Sequence, residues 1–365
     1  MSSPLLRRLL STCSATRSIS WNTTGRPQQT LASAVSRSGT ALHSGDFTTA
    51  RLVPAAAGEG RYFVACGSHS RSDTRIPASV GHVVESALCT TLCRDGARVR
   101  TVEHLMSALE ACGVDNCRIE IDGGDEVPLL DGSAKEWVET IRQAGLCVAE
   151  DQKSNNLERL VPKLHEPLYL CQGSSFLIAF PAQETHITCG IDFPKVPAIG
   201  SQWFSTTMDE FTYTKEIASA RTFCIYEEVE AMRQAGLIKG GSADNAIVCS
   251  ATAGWLNPPL RFCDEPCRHK VLDLVGDFSL FAQNGNQGLL VAHIIAYKAG
   301  HALHNNFVRL LLQSSTGPEC LDQRILWICP AVDGIVNMPC LPPTLPWKFA
   351  CAVGQSAGNA VILVF

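Results

Sequence analysis

At 365 residues the chain is long enough for two domains, each with its own core. Hydrophobic residues make up 45% and charged residues 18%, which excludes wholesale disorder. A formal net charge of −5 with no Lys/Arg cluster argues against a nucleic-acid partner, and the apolar stretch 288–295 falls far short of the roughly 18 residues a membrane span needs.

The opening segment differs from the rest. Arg7, Arg8, Arg17, Arg26 and Arg37 all precede the first acid, Asp46, and Ser and Thr are dense. Residues 1–38 therefore read as a transit peptide, basic and acid-free so that it can cross a membrane under a potential, with an ordinary disordered tail as the alternative. Arginine beside leucine so early favours a mitochondrial over a plastid destination. The 17 cysteines are odd in number and lack paired CxxC knuckles, so they read as reduced, small hydrophobes in a reducing compartment.

From residue 39 strands and helices alternate. The pattern predicts a strand at 61–66, a helix at 102–112, a strand at 117–122 and a helix at 133–144 ended by Gly145, together a first domain at 39–150. The polar run 151–158 is a linker. A second domain, 159–313, carries strands at 176–180, 186–192 and 246–249 and helices at 216–220, 226–235 and 268–280. The fold class is α+β, with the site between two domains. Residues 314–365 hold four more cysteines and a proline cluster at 342–346 without helical or strand period, and read as an atypical tail.

Three short segments carry chemistry. TVEHLMSAL (101–109) sets Glu103 beside His104 on a helix; in CRHKVLDLVGD (267–277) His269 and Asp273 are four apart, on one helix face, with Asp277 a turn further; and YKAGHAL (297–303) places His301 at a strand-to-helix junction. Zinc catalysis needs three N or O ligands and an open position, which His104, His269 and Asp273 would supply. Glu103 would then take a proton from the activated water, and His301, backed by Asp277, would protonate a departing amine. Each piece alone also fits a plainer reading. An HxxxD pair is commonly a solvent-side pair, Glu–His adjacency is commonplace, a lone Gly–His usually caps a helix, and there is no His-Glu-x-x-His signature.

These segments, with DEVPLLDGSA (125–134), ARTF (220–223) and GLIKGGSADN (236–245), closely resemble the UDP-3-O-acyl-N-acetylglucosamine deacetylases of lipid A synthesis, in family order over about residues 36–313. With the basic leader, the resemblance implies an organelle-targeted, plant-like form. It implies two domains of similar topology, each with helices packed on a β-sheet, facing each other across the active site. It also implies Zn²⁺ held by His104, His269 and Asp273, Glu103 as base, and His301 as general acid supported by Asp277. Thr222 would stabilise the oxyanion, and Lys270 would contact the nucleotide diphosphate, with Phe223 and Leu237 also against the substrate. Residues about 236–248 would form an inserted passage for the acyl chain, or merely pack an inserted helix; His43, in GTALHSG (39–45), is expected to be structural or marginal. The implied partner is a small molecule, a UDP-linked acylated glucosamine, and the expected state a monomer. Two departures stand out: Ala41 replaces the family's usual Gly, and the loop 282–288 is longer than the usual bacterial form, which could displace His301. Two other functions fit the same residues: a UDP-sugar or acyl-binding module with weak or no catalysis, and a zinc hydrolase acting on a different amide.

Overall fold

The computed structural model describes residues 18–65, 74–315, 351–356 and 359–364. Two five-stranded sheets carry the architecture. The first runs Val35–Thr40, Phe47–Pro54, Cys117–Asp122, Arg61–Ala65, Thr74–Pro77, and the second Leu168–Gln172, Ser175–Pro181, Ala292–Tyr297, His186–Phe193, Gly200–Thr207. In each, the last strand to arrive in sequence takes the centre. It pairs antiparallel with the second strand (Cys117–Asp122 on Phe47–Pro54, Ala292–Tyr297 on Ser175–Pro181) and parallel with the third (Arg61–Ala65, His186–Phe193). The two halves thus share one topology, as the family resemblance implies.

Six helices are described: α1 (Glu103–Ala111), α2 (Lys135–Ala144), α3 (Glu210–Glu216), α4 (Tyr226–Gln234), α5 (Glu265–Phe278) and α6 (His301–Ser315). α1 packs on α2 and lengthwise on α5, and α5 on α6 and on the second sheet, so the layers run sheet, helices, helices, sheet. Both central helices are buried nearly all round, as expected of helices between two layers. Their apolar residues, among them Leu105, Leu109, Leu272 and Phe278, each contribute on the order of 1.5–3 kcal/mol by leaving water. A Cβ at Gly276 would overlap the Glu103 carbonyl, so only glycine lets α5 approach the first turn of α1 this closely.

Several sequence expectations shift. Ile19–Pro27 pairs antiparallel with Glu158–Leu164, Gln29–Leu31 with Leu146–Val148, and Val35–Thr40 joins the first sheet, so residues 19–38 are not an unstructured leader. The basic, Ser/Thr-rich composition that suggested one also suits half-exposed strands, and residues 1–17 lie outside the described part. The helix expected at 216–220 sits instead at Glu210–Glu216, started by Asp209, whose Oδ1 accepts the Thr212 N–H at 2.8 Å. The linker region ends at Glu158, where strand pairing begins. In the tail, Cys351–Ser356 and Asn359–Val364 form an antiparallel hairpin where no period had been legible; the stretch 316–350 lies outside the described residues. No described helix is long and apolar enough to cross a membrane.

Candidate metal centre and active site

The first turn of α1 supplies Glu103 and His104, one face of α5 supplies His269, Asp273 and Asp277, and α6 begins with His301. The tight α1–α5 contact therefore delivers residues 165 positions apart in sequence to one point. His104, His269 and Asp273 are buried, and their ligand atoms lie within 4.8 Å of one another. Asp273 Oδ1 lies 3.3 Å from His269 Nε2 and 3.6 Å from His104 Nε2. That oxygen is buried without a hydrogen-bond partner among the described residues. An orphaned carboxylate oxygen facing two imidazole nitrogens is a donor set for a divalent cation such as zinc.

The surrounding contacts prepare the donors. His269 Nδ1 donates to the Ala220 carbonyl at 3.0 Å, leaving the Nε2 lone pair directed at Asp273. Burial, reinforced by His104 and Lys270 against the pull of Asp273, pushes His269 down to about 4, so the ring stays neutral. Asp273 is held well below the usual carboxylate range: burial opposes its charge, but His269, Lys270, His104 and His301 outweigh it. The Lys270 ammonium donates to Asp273 Oδ2 at 3.1 Å.

Glu103 and His301 stand beside these donors. Glu103 Oε2 accepts the Thr90 N–H at 3.0 Å, and its Oε1 lies 3.7 Å from His301 Nε2. Burial raises Glu103 to about 7, against the opposing charge of His301. Burial works against a charged His301, yet Asp277 and Glu103 overcome it and raise it to about 10. One group is thus poised to take a proton near neutrality and the other to hold one. Asp277 Oδ2 accepts from His301 Nδ1 at 2.7 Å and from His304 Nδ1 at 2.8 Å. The loop before His301 is tied to other parts of the chain: Gln28 Nε2 donates to Asn284 O, and Asn286 Oδ1 accepts the Leu160 N–H.

These groups open into a cavity of about 900 Å³, also lined by Thr222, Phe223, Lys270, Ile238 and Val248. Thr222 is fixed from the first domain, its N–H donating to Gly132 O at 2.7 Å. Gly132 has φ +81°, and a Cβ there would overlap the Asn245 carbonyl, which explains glycine in LLDGSA. Arg221 anchors the same segment through Glu265, at 2.9 Å.

Leu237 does not reach the cavity; its neighbour Ile238 does. The chain turns through positive φ at Gly236 and Ile238. His43 lies outside the ligand set. Its N–H donates to Glu126 at 3.0 Å and its Nδ1 accepts the Ile238 N–H at 3.4 Å, tying the first domain to the inserted segment. Sequence reasoning passed over Thr90 and His304; the i, i+3 spacing of His304 from His301 was a signal for the second, while Thr90 carried none.

Residues 28–313 match the family described as UDP-3-O-acyl N-acetylglycosamine deacetylase. Over 308 residues the chain is 56% identical to the Arabidopsis thaliana protein named "Probable UDP-3-O-acyl-N-acetylglucosamine deacetylase 1, mitochondrial", covering 82% of this chain and 93% of that one. It is 48% identical over 291 residues to a UDP-3-O-acyl-N-acetylglucosamine deacetylase of Trichormus variabilis, covering 79% and 99%. A protein of the same name from Thermosynechococcus vestitus is 46% identical over 286 residues, covering 78% and 94%.

Proposed function

The chain belongs to the UDP-3-O-acyl N-acetylglycosamine deacetylase family, and on that footing we propose that it is a zinc-dependent deacetylase. Its substrate is UDP-3-O-(3-hydroxyacyl)-N-acetylglucosamine, and its products are the free 2-amino sugar nucleotide and acetate, an early step of lipid A-type synthesis. The reading rests above all on the orphaned Asp273 Oδ1 set between two imidazole Nε2 atoms, with a carboxylate and a charged histidine alongside.

His104, His269 and Asp273 would hold the zinc, which supplies Lewis acidity at the acetamide carbonyl. Glu103 Oε1 removes the proton from the water that attacks the acetamide carbon. The Thr222 hydroxyl donates to the oxygen that gains charge as the C=O π pair moves onto it. When the C–N bond breaks, that pair returns to carbon and His301 Nε2 gives its proton to the leaving nitrogen, Asp277 steadying the ring from behind. Lys270, in the same cavity, offers an ammonium to the nucleotide diphosphate, and Phe223 an aromatic face to the substrate. The segment from Gly236 to Val248, through Ile238 and Val248 rather than Leu237, lines the passage for the acyl chain. The site of action is the mitochondrion, in line with the name of the Arabidopsis relative.

Purified protein should bind about one zinc and release acetate from this substrate. His269→Ala should lose both. Acetate release undiminished in His269→Ala would overturn the proposal, and substrate binding with no turnover in the wild type would mark the chain as a binding module instead.

A further inference from the structure

We infer that Thr90 is a positioning residue for the proposed hydrolysis, holding the base and the acid in register through its main-chain N–H and its hydroxyl. Thr90 is 1% exposed and lies just before the strand Thr91–Arg94 of the first domain. Its main-chain N–H donates to Glu103 Oε2 at 3.0 Å. Its hydroxyl donates to Asp277 Oδ1 at 2.5 Å and accepts from Asn305 Nδ2 at 3.3 Å. Its carbonyl accepts the Val102 N–H at 3.4 Å, at the entrance to α1.

The arrangement on Asp277 gives the hydroxyl its importance. Both imidazoles, His301 and His304, donate to the same oxygen, Oδ2. A carboxylate held through one oxygen can pivot about it, carrying the rings with it. Thr90 supplies the donor on the other oxygen and fixes the carboxylate plane. With its proton spent on Asp277 and a lone pair taken by Asn305, the hydroxyl has little freedom to do anything else, and the β-branched side chain has few rotamers in which to do it. The same residue leaves Glu103 Oε1 as the oxygen facing His301, 3.7 Å from its Nε2. Asp277, His301 and Asn305 belong to the second domain, so Thr90 also sets one domain's acid against the other's base. It would not touch substrate itself; it acts through Glu103 and Asp277.

The inference rests on the deacetylase reading, and its test separates the two. Thr90→Val keeps the shape and the main-chain N–H and removes the donor; Thr90→Ser keeps the donor. With the zinc-loaded enzyme and UDP-3-O-(3-hydroxyacyl)-N-acetylglucosamine, Thr90→Val should lower kcat about 10- to 100-fold with KM little changed, as expected when a reacting group is misplaced by a fraction of an ångström to an ångström. Thr90→Ser should restore most of it, and both should bind zinc as the wild type does. In 15N-histidine-labelled protein, the hydrogen-bonded Nδ1 protons of His301 and His304, assigned with His301→Gln and His304→Gln, should move or broaden in Thr90→Val and keep their places in Thr90→Ser. Wild-type kcat and unmoved imidazole signals in Thr90→Val, or a loss that serine does not rescue, would overturn the inference. An inactive wild type would sink the deacetylase reading instead, and the imidazole signals alone would then decide the role of Thr90. Should Thr90→Val not fold, Thr90→Ala against Thr90→Ser carries the same comparison.

Discussion

Glu110 sits on α1, yet much of what it holds belongs to the other domain. Its Oε1 accepts the main-chain N–H groups of Gly288 at 2.9 Å and Leu289 at 2.7 Å, and its Oε2 lies 2.6 Å from Arg61 Nη2. Both side chains of the pair are 2% exposed, and Arg61 donates further to Ser279 O. Glu110→Ala strands a buried guanidinium, at a cost of about 3–5 kcal/mol, and each N–H left without an acceptor costs about 1–3 kcal/mol more. These losses overlap, because the emptied space admits water and the loop relaxes. A net loss of about 4–6 kcal/mol is expected, a large share of the roughly 5–15 kcal/mol that holds a domain folded. Glu110→Gln retains an acceptor for the two N–H groups but turns an uncharged amide toward Arg61, and should lose about 3 kcal/mol. Adding Arg61→Met removes the stranded charge, so the double variant should be more stable than Glu110→Gln alone. Urea unfolding followed by tryptophan fluorescence and far-ultraviolet circular dichroism measures all three. A Glu110→Ala variant within about 0.5 kcal/mol of wild type, the range of an inconsequential surface change, would refute the reasoning. So would a double variant less stable than Glu110→Gln.

Two pH dependences follow. The base must be unprotonated and the acid protonated, so acetate release should fall as pH drops through Glu103's value of about 7 and again as it rises through His301's value of about 10. Asp277→Asn removes a carboxylate that holds His301 up, and a kcat–pH profile should show the alkaline limb moved toward neutrality; an unmoved limb would count against His301 as the acid. On the second sheet His186 and His293 face each other across paired strands, ring centroids 4.7 Å apart, and burial together with His186 pushes His293 down to about 4. The folded chain keeps this ring neutral while the unfolded chain protonates it near its ordinary value of about 6.5. Its contribution to stability is therefore intact above about 6.5 and lost as pH falls toward about 4; thermal unfolding midpoints should drop over that window and drop less in His293→Gln, and equal slopes in the two proteins would exclude the effect.

How much of this was legible in the sequence depended on whether a residue's task is local. Glu103 beside His104, and His269, Asp273 and Asp277 along one helix face, follow from spacing, because helical geometry alone sets them together. The strands of residues 19–38 were not legible, since their polar, basic composition records exposure on one face and says nothing of pairing, which for Ile19–Pro27 and Gln29–Leu31 is with the distant Glu158–Leu164 and Leu146–Val148. Leu237 was expected against the substrate on the resemblance, and apolar character alone does not tell it from its neighbour Ile238, which lines the cavity. The Thr90 hydroxyl acquires its partners only when α5 and α6 close against the first domain, and no pattern within its own neighbourhood announces that. Glu110 reads as one more charge on a helix until Arg61 and the Gly288 loop arrive.

The shared topology of the two halves has a consequence in time. α1 and α5 occupy the same place in their respective domains, each leading into its central strand, and the donor cluster forms where these two counterparts meet. Neither half holds the full set: a nascent chain that has released only its first half presents Glu103 and His104 without His269 or Asp273. On the proposed reading, the chain would stay chemically silent until its second half is made and folded against the first. Competence then waits until His301, at the head of α6, stands against Glu103 of the first half.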